Sequence, residues 1–475
     1  MLETILNHFA THVKEKIAKA ANELQETYDF QALEEMVSEL MDTVASDILQ
    51  ACLTNVLEDR DVLADLKRQG AEQGVKFHGF RSIDVYVYTG RRVKIKSPWF
   101  VKKGKKHGRK KHGPNGRGAH LGLDVLGFLS RGSGKFVSWV TRMAILMPSY
   151  EIANETLQER GVSVSVNTIR RYCRELGRVG IARRGEVSFT GQEDLTGATL
   201  VIEVDGGRLR LREKKRGRRK AQQKRQGYHA PWKEPKLFTM YLEDAQGQIL
   251  QEFPPIHDAT MGDDDEVFAL MAQYLDQLDL SVAERVVVCG DGARWIWRRV
   301  DSLMNDRGVS PDKLFQIVDY THAKQNLQKI VDLLPLNRQK RMMKKWKAFL
   351  FQGNITGLGH SITSVLQGNA LKKGLKKWND YFVRNAQRMQ YQDFQAQHLP
   401  CGSGHVESAI RRVINLRLKA PGTFWTQDMA EYFLFLRSQL LSGRWPIFMK
   451  NVTRRAASFV EALPDAHHDI APSTS

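Results

Sequence analysis

The chain has little cysteine: four residues in 475, at Cys52, Cys173, Cys289 and Cys401, with no Cys-x-x-Cys pair. That spacing excludes a disulfide framework and a zinc knuckle, and it fits a reducing compartment. Long apolar runs are also missing, since none approaches the ~18 residues that a membrane span needs. The opening segment MLETILNHFATHVKEK is amphipathic and carries Glu3, without the apolar core or cleavage site of an export signal. The expectation is a soluble cytoplasmic protein with no membrane partner. A third scarcity is local. Between Arg91 and Arg117 there are twelve Lys or Arg and no acid, and between Arg208 and Arg225 there are eleven against one acid, Glu213. The whole chain carries a net charge of +19, and these two segments account for +22 of it, leaving the remainder slightly acidic. A charge run is often just a solvated loop, but an entire excess held in two runs points to a polyanionic partner, nucleic acid first of all.

What is present is a chain with 42% hydrophobic residues, long enough for several domains and a sizeable buried core. It is organised around TLVIEVDGGRLRLRE, residues 199–213. Leu200, Val201, Ile202 and Val204 read as a buried strand that delivers Asp205 to its end. Gly206 and Gly207 then leave the backbone bare beside the carboxylate, a seat for a cation facing a bulky ligand. The pattern recurs in VVVCGDGARW, where an apolar run ends in Gly290-Asp291-Gly292. Two strands that each deliver an acid flanked by glycine suggest two carboxylates meeting at one sheet edge. An Asp-Gly turn at each place is the plainer alternative.

Along the chain, residues 1–75 read as helices for packing or oligomerisation, with Leu2, Ile5, Leu6, Phe9 and Val13 at helical spacing. In 76–134, Ile83, Val85 and Val87 alternate with polar neighbours, and Val93 and Ile95 repeat the alternation after Thr89-Gly90, predicting a β-hairpin that leads into a basic loop. His107, His112 and His120 beside that loop have no acidic or thiol partners nearby and read as polar loop residues rather than metal ligands. Residues 135–180 predict three helices, ending at Pro148, Gly161 and Gly177, with Ser165 capping the third. This is helix-turn-helix spacing, and the third helix offers Arg170, Arg171 and Arg174 to DNA. Strands are then expected at Leu237–Leu242 and Ile249–Phe253, a helix at Val267–Leu278 behind Asp263-Asp264-Asp265, and strands ending at Asp291 and Asp319. Residues 323–399 are helical and Lys-rich. The segment GSGHVESAIRRVINLRLK, from residue 402, returns to the sheet with Val406, Ile410, Val413 and Ile414 on one face. Its Glu407 can reach the strand ends, or it can pair with Arg411 one turn on.

Three carboxylates so arranged suit two divalent ions that activate an attacking oxygen and stabilise the leaving oxygen in a phosphoryl displacement. The segments VDGGRLRLRE, GDGARWIW, VDYTHAKQNL and GSGHVESAIRRVINLRLKAPGTFWTQ, in this order, resemble a bacterial insertion-sequence DDE transposase of the ISKra/ISLre type. The resemblance covers about residues 75–450 and departs from the pattern where WFVKKGKKHGRKKHG stands in place of a cysteine-bearing ribbon. It implies a multidomain protein of mixed α and α/β class. An RNase H-like core at 195–322 would be interrupted by the helical insertion 323–399 and completed by the returning helix at 400–450, with 451–475 as a tail. It further implies Asp205, Asp291 and Glu407 as metal-binding catalytic residues for two Mg2+ or Mn2+ ions, with Asp319 and His322 as auxiliaries. The DNA contacts expected from the charge runs are Lys102, Lys103, Lys105, Lys106, Arg109, Lys110 and Lys111 in the first. Arg216, Arg218, Arg219 and Lys220 would serve in the second, and Arg411, Arg412, Arg417 and Lys419 near the site. The implied activity is Mg2+-dependent cleavage and strand transfer at the inverted repeats of an insertion sequence, by a dimer or larger assembly associated with the nucleoid. A resolvase-like nuclease on the same core, or a DNA-binding regulator without catalysis, are the rival readings. Trp425 reads as core or as a wedge stacked on an unpaired base.

Overall fold

The structure is a computed structural model and describes residues 2–102, 118–189, 193–217 and 226–454. The chain divides into two compact units, residues 1–176 with 449–475, and residues 177–448.

The first unit begins with helices Leu2–Thr27, Phe30–Glu58 and Arg60–Glu72, the latter two capped by the side chains of Asp29 and Asp59. Strands Val75–Tyr86 and Arg92–Lys102 follow as an antiparallel pair, in which Ile83 faces Ile95 and Val85 faces Val93. The alternation read from the sequence buries these residues with Val87 under Leu57, Leu123 and Phe128. The hairpin is longer than the alternation suggested, because a register shift between Phe77 and Phe80 breaks the period while pairing continues. Helices Gly134–Leu146, Tyr150–Glu159 and Val166–Ile181 come next. Ser165 accepts from the Thr168 amide at 3.1 Å. The last helix passes through Gly177 instead of ending there. A Cβ at Gly177 would lie 2.5 Å from Tyr432, and one at Gly180 would lie 2.2 Å from Phe435, so these glycines permit close packing rather than stop a helix.

The second unit is built on a five-stranded sheet: β1 (Thr199–Gly206), β2 (Lys236–Glu243), β3 (Ile256–Thr260), β4 (Arg285–Gly290) and β5 (Leu314–Val318). Their order across the sheet is β3-β2-β1-β4-β5. β1, β4 and β5 are parallel, β2 is antiparallel to β1, and β3 is antiparallel to β2. The apolar residues of β1 and β4 are almost wholly buried, as strands covered on both faces require. Helix α1 (Asp264–Leu275), started by a capping box between Asp263 and Glu266, contributes Val267, Met271 and Tyr274 to the core.

The strand expected at Ile249–Phe253 is replaced by a turn with one bridge from Ile249 to Glu243, and the third strand is Ile256–Thr260. Its sequence IHDAT has no apolar alternation because its polar residues are satisfied inside the protein. Buried Asp258 accepts from Tyr274 Oη at 2.8 Å and lies 3.4 Å from the buried Arg184 guanidinium, which also pairs with Glu431. His257 Nδ1 meets Thr239 Oγ1 at 3.0 Å.

After β5 the chain enters α2 (Tyr320–Val331), then helices Leu336–Phe351, Ile355–Val365 and Gly368–Lys377 and a π-helical turn Trp378–Val383. Trp346, Leu350 and Phe382 are buried there. Helix α3 (Gly404–Ile410) returns to pack on β1 and β2, continues as a π-helical segment Arg411–Asn415, and is followed by α4 (Gln427–Leu441), which packs on β3. Among the described residues no helix is long and apolar enough to cross a membrane. None of the four cysteines is in a disulfide.

Candidate active site at the strand ends

The register of β1 and β4 brings two acids side by side. Val204 pairs with Gly290 in a parallel ladder, so Asp205 and Asp291 occupy the next positions on neighbouring strands, whose spacing is about 4.8 Å. Asp205 is half-buried and its Oδ1 accepts the Gly206 amide at 2.7 Å. Burial pushes its carboxyl up to about 6. The Gly206 amide and His322 oppose that rise, while the charges of Asp291 and Glu407 add to it. Asp205 therefore feels both other acids of the expected triad. Asp291 Oδ1 accepts the Ala293 amide at 2.8 Å, an Asx turn that fixes its side chain at the end of β4.

The glycines serve packing rather than a ligand. A Cβ at Gly206 would stand 2.6 Å from Glu234 Oε1, and one at Gly207 would stand 2.5 Å from Ile414 Cδ1. The room that the two bare backbones leave is thus taken by the side chains of Glu234 and Ile414, and Gly207 lets the segment after α3 approach the strand end. Gly292, at φ +84°, lies under Tyr381, whose ring would be 2.9 Å from a Cβ there.

Glu407 is exposed in the first turn of α3, and that helix is anchored by two buried carboxylates. Glu203 on β1 accepts the Val406 amide at 2.7 Å and Tyr241 Oη at 2.8 Å, with His405 Nδ1 at 3.4 Å. Asp319, just past β5, accepts the Ser403 amide at 2.5 Å, Ser403 Oγ at 2.7 Å and the His322 amide at 2.6 Å. Burial would raise the Asp319 carboxyl, but the His322 and Ser403 donors outweigh it and hold it down at about 2. Sequence reasoning missed Glu203. Its signal was an acid inside the apolar run TLVIEV, two residues before Asp205 and so on the same face of the strand.

His322 Nδ1 lies 3.3 Å from Asp319 Oδ1. The neighbouring Asp319 raises the imidazole's proton affinity against partial burial, and Asp205 and Asp291 raise it further. The helical segment also reaches the site. Tyr381 Oη donates to the Asp291 carbonyl at 2.9 Å, and Arg384 Nη2 donates to the Gly292 carbonyl at 3.2 Å. Burial lowers the Arg384 pKa, and the positive charges of Arg294 and Arg298 lower it further.

As they stand, no three His, Cys, Asp or Glu side chains among the described residues converge closely enough to hold a metal ion. The chemistry of the donors nonetheless fits a hard cation. Asp205, Asp291 and Glu407 offer only oxygen, and the acids raise the proton affinity of Asp205 as groups do that a cation would relieve.

Of the basic residues expected to meet DNA, Arg170, Arg171 and Arg174 are exposed on helix Val166–Ile181, and Arg216, Arg411, Arg412 and Lys419 are exposed in the second unit. Arg417 is different. It is 2% exposed, stacked over Trp425 and Phe433 at 5.0 and 5.4 Å, and so is a core residue rather than a phosphate contact. Trp425 is buried as well, with Nε1 donating to the Leu418 carbonyl at 3.0 Å, which excludes the wedge role. Lys102 ends a strand, while Lys103, Lys105, Lys106, Arg109, Lys110, Lys111, Arg218, Arg219 and Lys220 lie outside the described residues, as do His107 and His112. His120 packs on Trp99, and burial with Arg131 and Arg81 lowers it to about 4.

No family model matches the chain, and no curated protein matches it. Among solved structures it is similar to a chain of the Drosophila P element transposase strand transfer complex, at 10% identity and a TM-score of 0.25, over 71% of this chain and 86% of that one.

Proposed function

We propose that residues 195–450 form an RNase H-like catalytic core and that the protein is a DDE-type DNA transposase of the insertion-sequence kind. The observation that carries this reading is the adjacency of Asp205 and Asp291 on parallel neighbouring strands, with Glu407 electrostatically coupled to Asp205 from a helix that returns to the sheet. The strand order β3-β2-β1-β4-β5, antiparallel at β2 and parallel at β4 and β5, supports the fold assignment.

In this reading Asp205, Asp291 and Glu407 would hold two divalent ions, Mg2+ or Mn2+. Such ions, when bound, supply activation of the attacking oxygen and charge neutralisation at the leaving one. Asp205, flanked by both other acids, would be the ligand whose loss is least tolerated. Glu203 and Asp319 hold the start of α3 through Val406 and Ser403, which would keep Glu407 turned to the strand ends. His322, whose proton affinity its acidic neighbours raise, would meet a phosphate oxygen beside them. Tyr381 and Arg384 would hold the Asp291-Gly292 turn in place through its carbonyls.

The arginines of helix Val166–Ile181 and the first basic run would bind the element's terminal repeats, and the second basic run with Arg411, Arg412 and Lys419 the phosphates near the site. A steep fall of affinity with salt follows from so many phosphate contacts. Joining two ends calls for a dimer or a larger assembly.

The test uses purified protein, Mg2+ and labelled DNA from the flanks of the coding region. Cleavage followed by joining to a second DNA is expected, and Asp205→Asn, Asp291→Asn and Glu407→Gln should each lose both. Cleavage without joining would replace the transposase reading by a nuclease on the same core. DNA activities unchanged by Asp205→Asn would remove the catalytic claim.

A further inference from the structure

Beyond Gly207 the chain forms a narrow antiparallel ribbon, Leu209–Arg210 with Trp232–Lys233 and Glu213–Lys214 with Tyr228–His229. It carries two aromatic side chains that the core does not use: Trp232 is 50% exposed and Tyr228 37%. Each has a guanidinium over its ring. Arg210, the cross-strand partner of Trp232, lies 4.7 Å from that ring's centroid, and Arg212 lies 4.5 Å from that of Tyr228. Phe424 extends the row, 5.5 Å from Tyr228. Beside Arg210 and Trp232 the segment 418–423 frames a cavity of about 320 Å³, which Lys419 also lines.

The ribbon is fixed to both arms of the site. On one side the Gly207 amide donates to the Pro235 carbonyl at 2.8 Å, directly after the strand that ends in Asp205. On the other, the Arg212 amide donates to the Trp425 carbonyl at 2.6 Å, and the Trp425 amide donates to the Arg210 carbonyl at 3.1 Å, in the chain that follows α3. Half-exposed rings with guanidinium groups beside them present a flat apolar face next to fixed positive charge. The ligand that combines a flat apolar face with an adjoining anion is a nucleotide.

We propose that this ribbon is a binding site for unpaired DNA: a base stacks on the open part of Trp232, beside the 418–423 cavity, and its phosphate meets Arg210 and Lys419. A duplex offers only phosphates and groove edges, because its base faces are hidden in the stack, whereas an unpaired base presents its π-face. The proposal rests on the reading of the acids as a DNA-processing site and specifies the state of the strand that lies next to them. Trp425, the tryptophan that the sequence put forward for stacking, is buried at the ribbon's root. Trp232 is the one in reach of a ligand.

The experiment measures binding by the full chain without divalent ion, to a labelled oligothymidylate and to a blunt duplex with the same number of phosphates. Trp232→Ala should weaken the single strand about tenfold and the duplex less than about twofold. Trp232→Phe, which keeps a ring, should recover most of the loss. Equal weakening of both probes, unchanged single-strand binding, or failure of the Phe variant to recover would each overturn the proposal. Because no metal is present, the outcome is independent of whether the acids cleave DNA, which the Mg2+ assay of Asp205→Asn decides separately.

Discussion

In the metal-free protein the buried Asp205 carboxylate should cost stability, so replacing it should make the fold stronger while ending the proposed chemistry. Its carboxyl is pushed from the usual 3.8 to about 6, chiefly by burial, with Asp291 and Glu407 adding to the shift. An acid whose folded pKa is raised binds its proton more tightly in the native state. Stability is therefore lost as pH rises from about 3.8 to about 6, and the full loss is present at pH 7. A shift of about two units corresponds to about 3 kcal/mol, and the partial solvent access of the carboxylate reduces this to about 1–2 kcal/mol. Asp205→Asn keeps an oxygen for the Gly206 amide and removes the charge. In chelator-treated protein at pH 7.5 its melting temperature should exceed wild type by about 3–6 °C for a unit of this size. Below pH 4 the two proteins should converge. Added Mg2+ should raise the wild type and leave the variant unmoved, inverting their order as the ion repays the repulsion. Differential scanning calorimetry from pH 3.5 to 8, with and without Mg2+, reads all of this. A variant that melts with or below wild type at pH 7.5, with the same pH profile, would refute the reasoning.

Three further outcomes follow from the anchors and the brace. Glu203→Gln weakens charge-assisted bonds to the Val406 amide and Tyr241, and should cost about 2 kcal/mol in urea unfolding. It should also cut DNA cleavage, although Glu203 is not one of the proposed ligands. Asp319, held down at about 2, contributes stability that is present above pH 3.8 and is lost as pH falls toward 2. The contribution is about 2 kcal/mol, and Asp319→Asn should flatten that acid limb in pH-dependent unfolding. Tyr381→Phe removes the hydroxyl that donates to the Asp291 carbonyl. It should change stability by less than about 1.5 kcal/mol and slow cleavage severalfold in single-turnover assays.

What was legible in the sequence was whatever follows a period. The alternation Ile83, Val85, Val87 and its mirror Val93, Ile95 marked the hairpin, and the apolar runs before Asp205 and Asp291 marked β1 and β4. The inward face of α3 was visible for the same reason, since Val406, Ile410, Val413 and Ile414 are all buried. What stayed hidden depended on partners far away in the chain. Ile256–Thr260 looks like a loop until Arg184, Tyr274 and Thr239 are brought to its polar side chains. Arg417 looks like a phosphate ligand until Trp425 and Phe433 enclose it. Gly177 looks like a helix stop until Tyr432 presses against it. Glycine and charge have more than one use, and only packing chooses among them.

The anchoring of α3 has a consequence for how this chain can change. The Tyr320 amide donates to the Cys401 carbonyl at 2.9 Å, and Asp319 holds both amide and hydroxyl of Ser403. The roughly eighty residues between leave and rejoin the sheet at this stitch, so the segment closes as a loop. It is also built into the core: Tyr391 Oη donates to the Val318 carbonyl at 2.9 Å, Arg388 Nε to Gln316 Oε1 at 2.8 Å, and Trp346, Phe382 and Tyr391 are buried in one cluster with the strands. A short linker across the stitch would therefore open the face of β5 to water, besides forfeiting the hydroxyl of Tyr381 and the guanidinium of Arg384 on the Asp291-Gly292 turn. The segment is a long detour in the chain and a wall of the core at once.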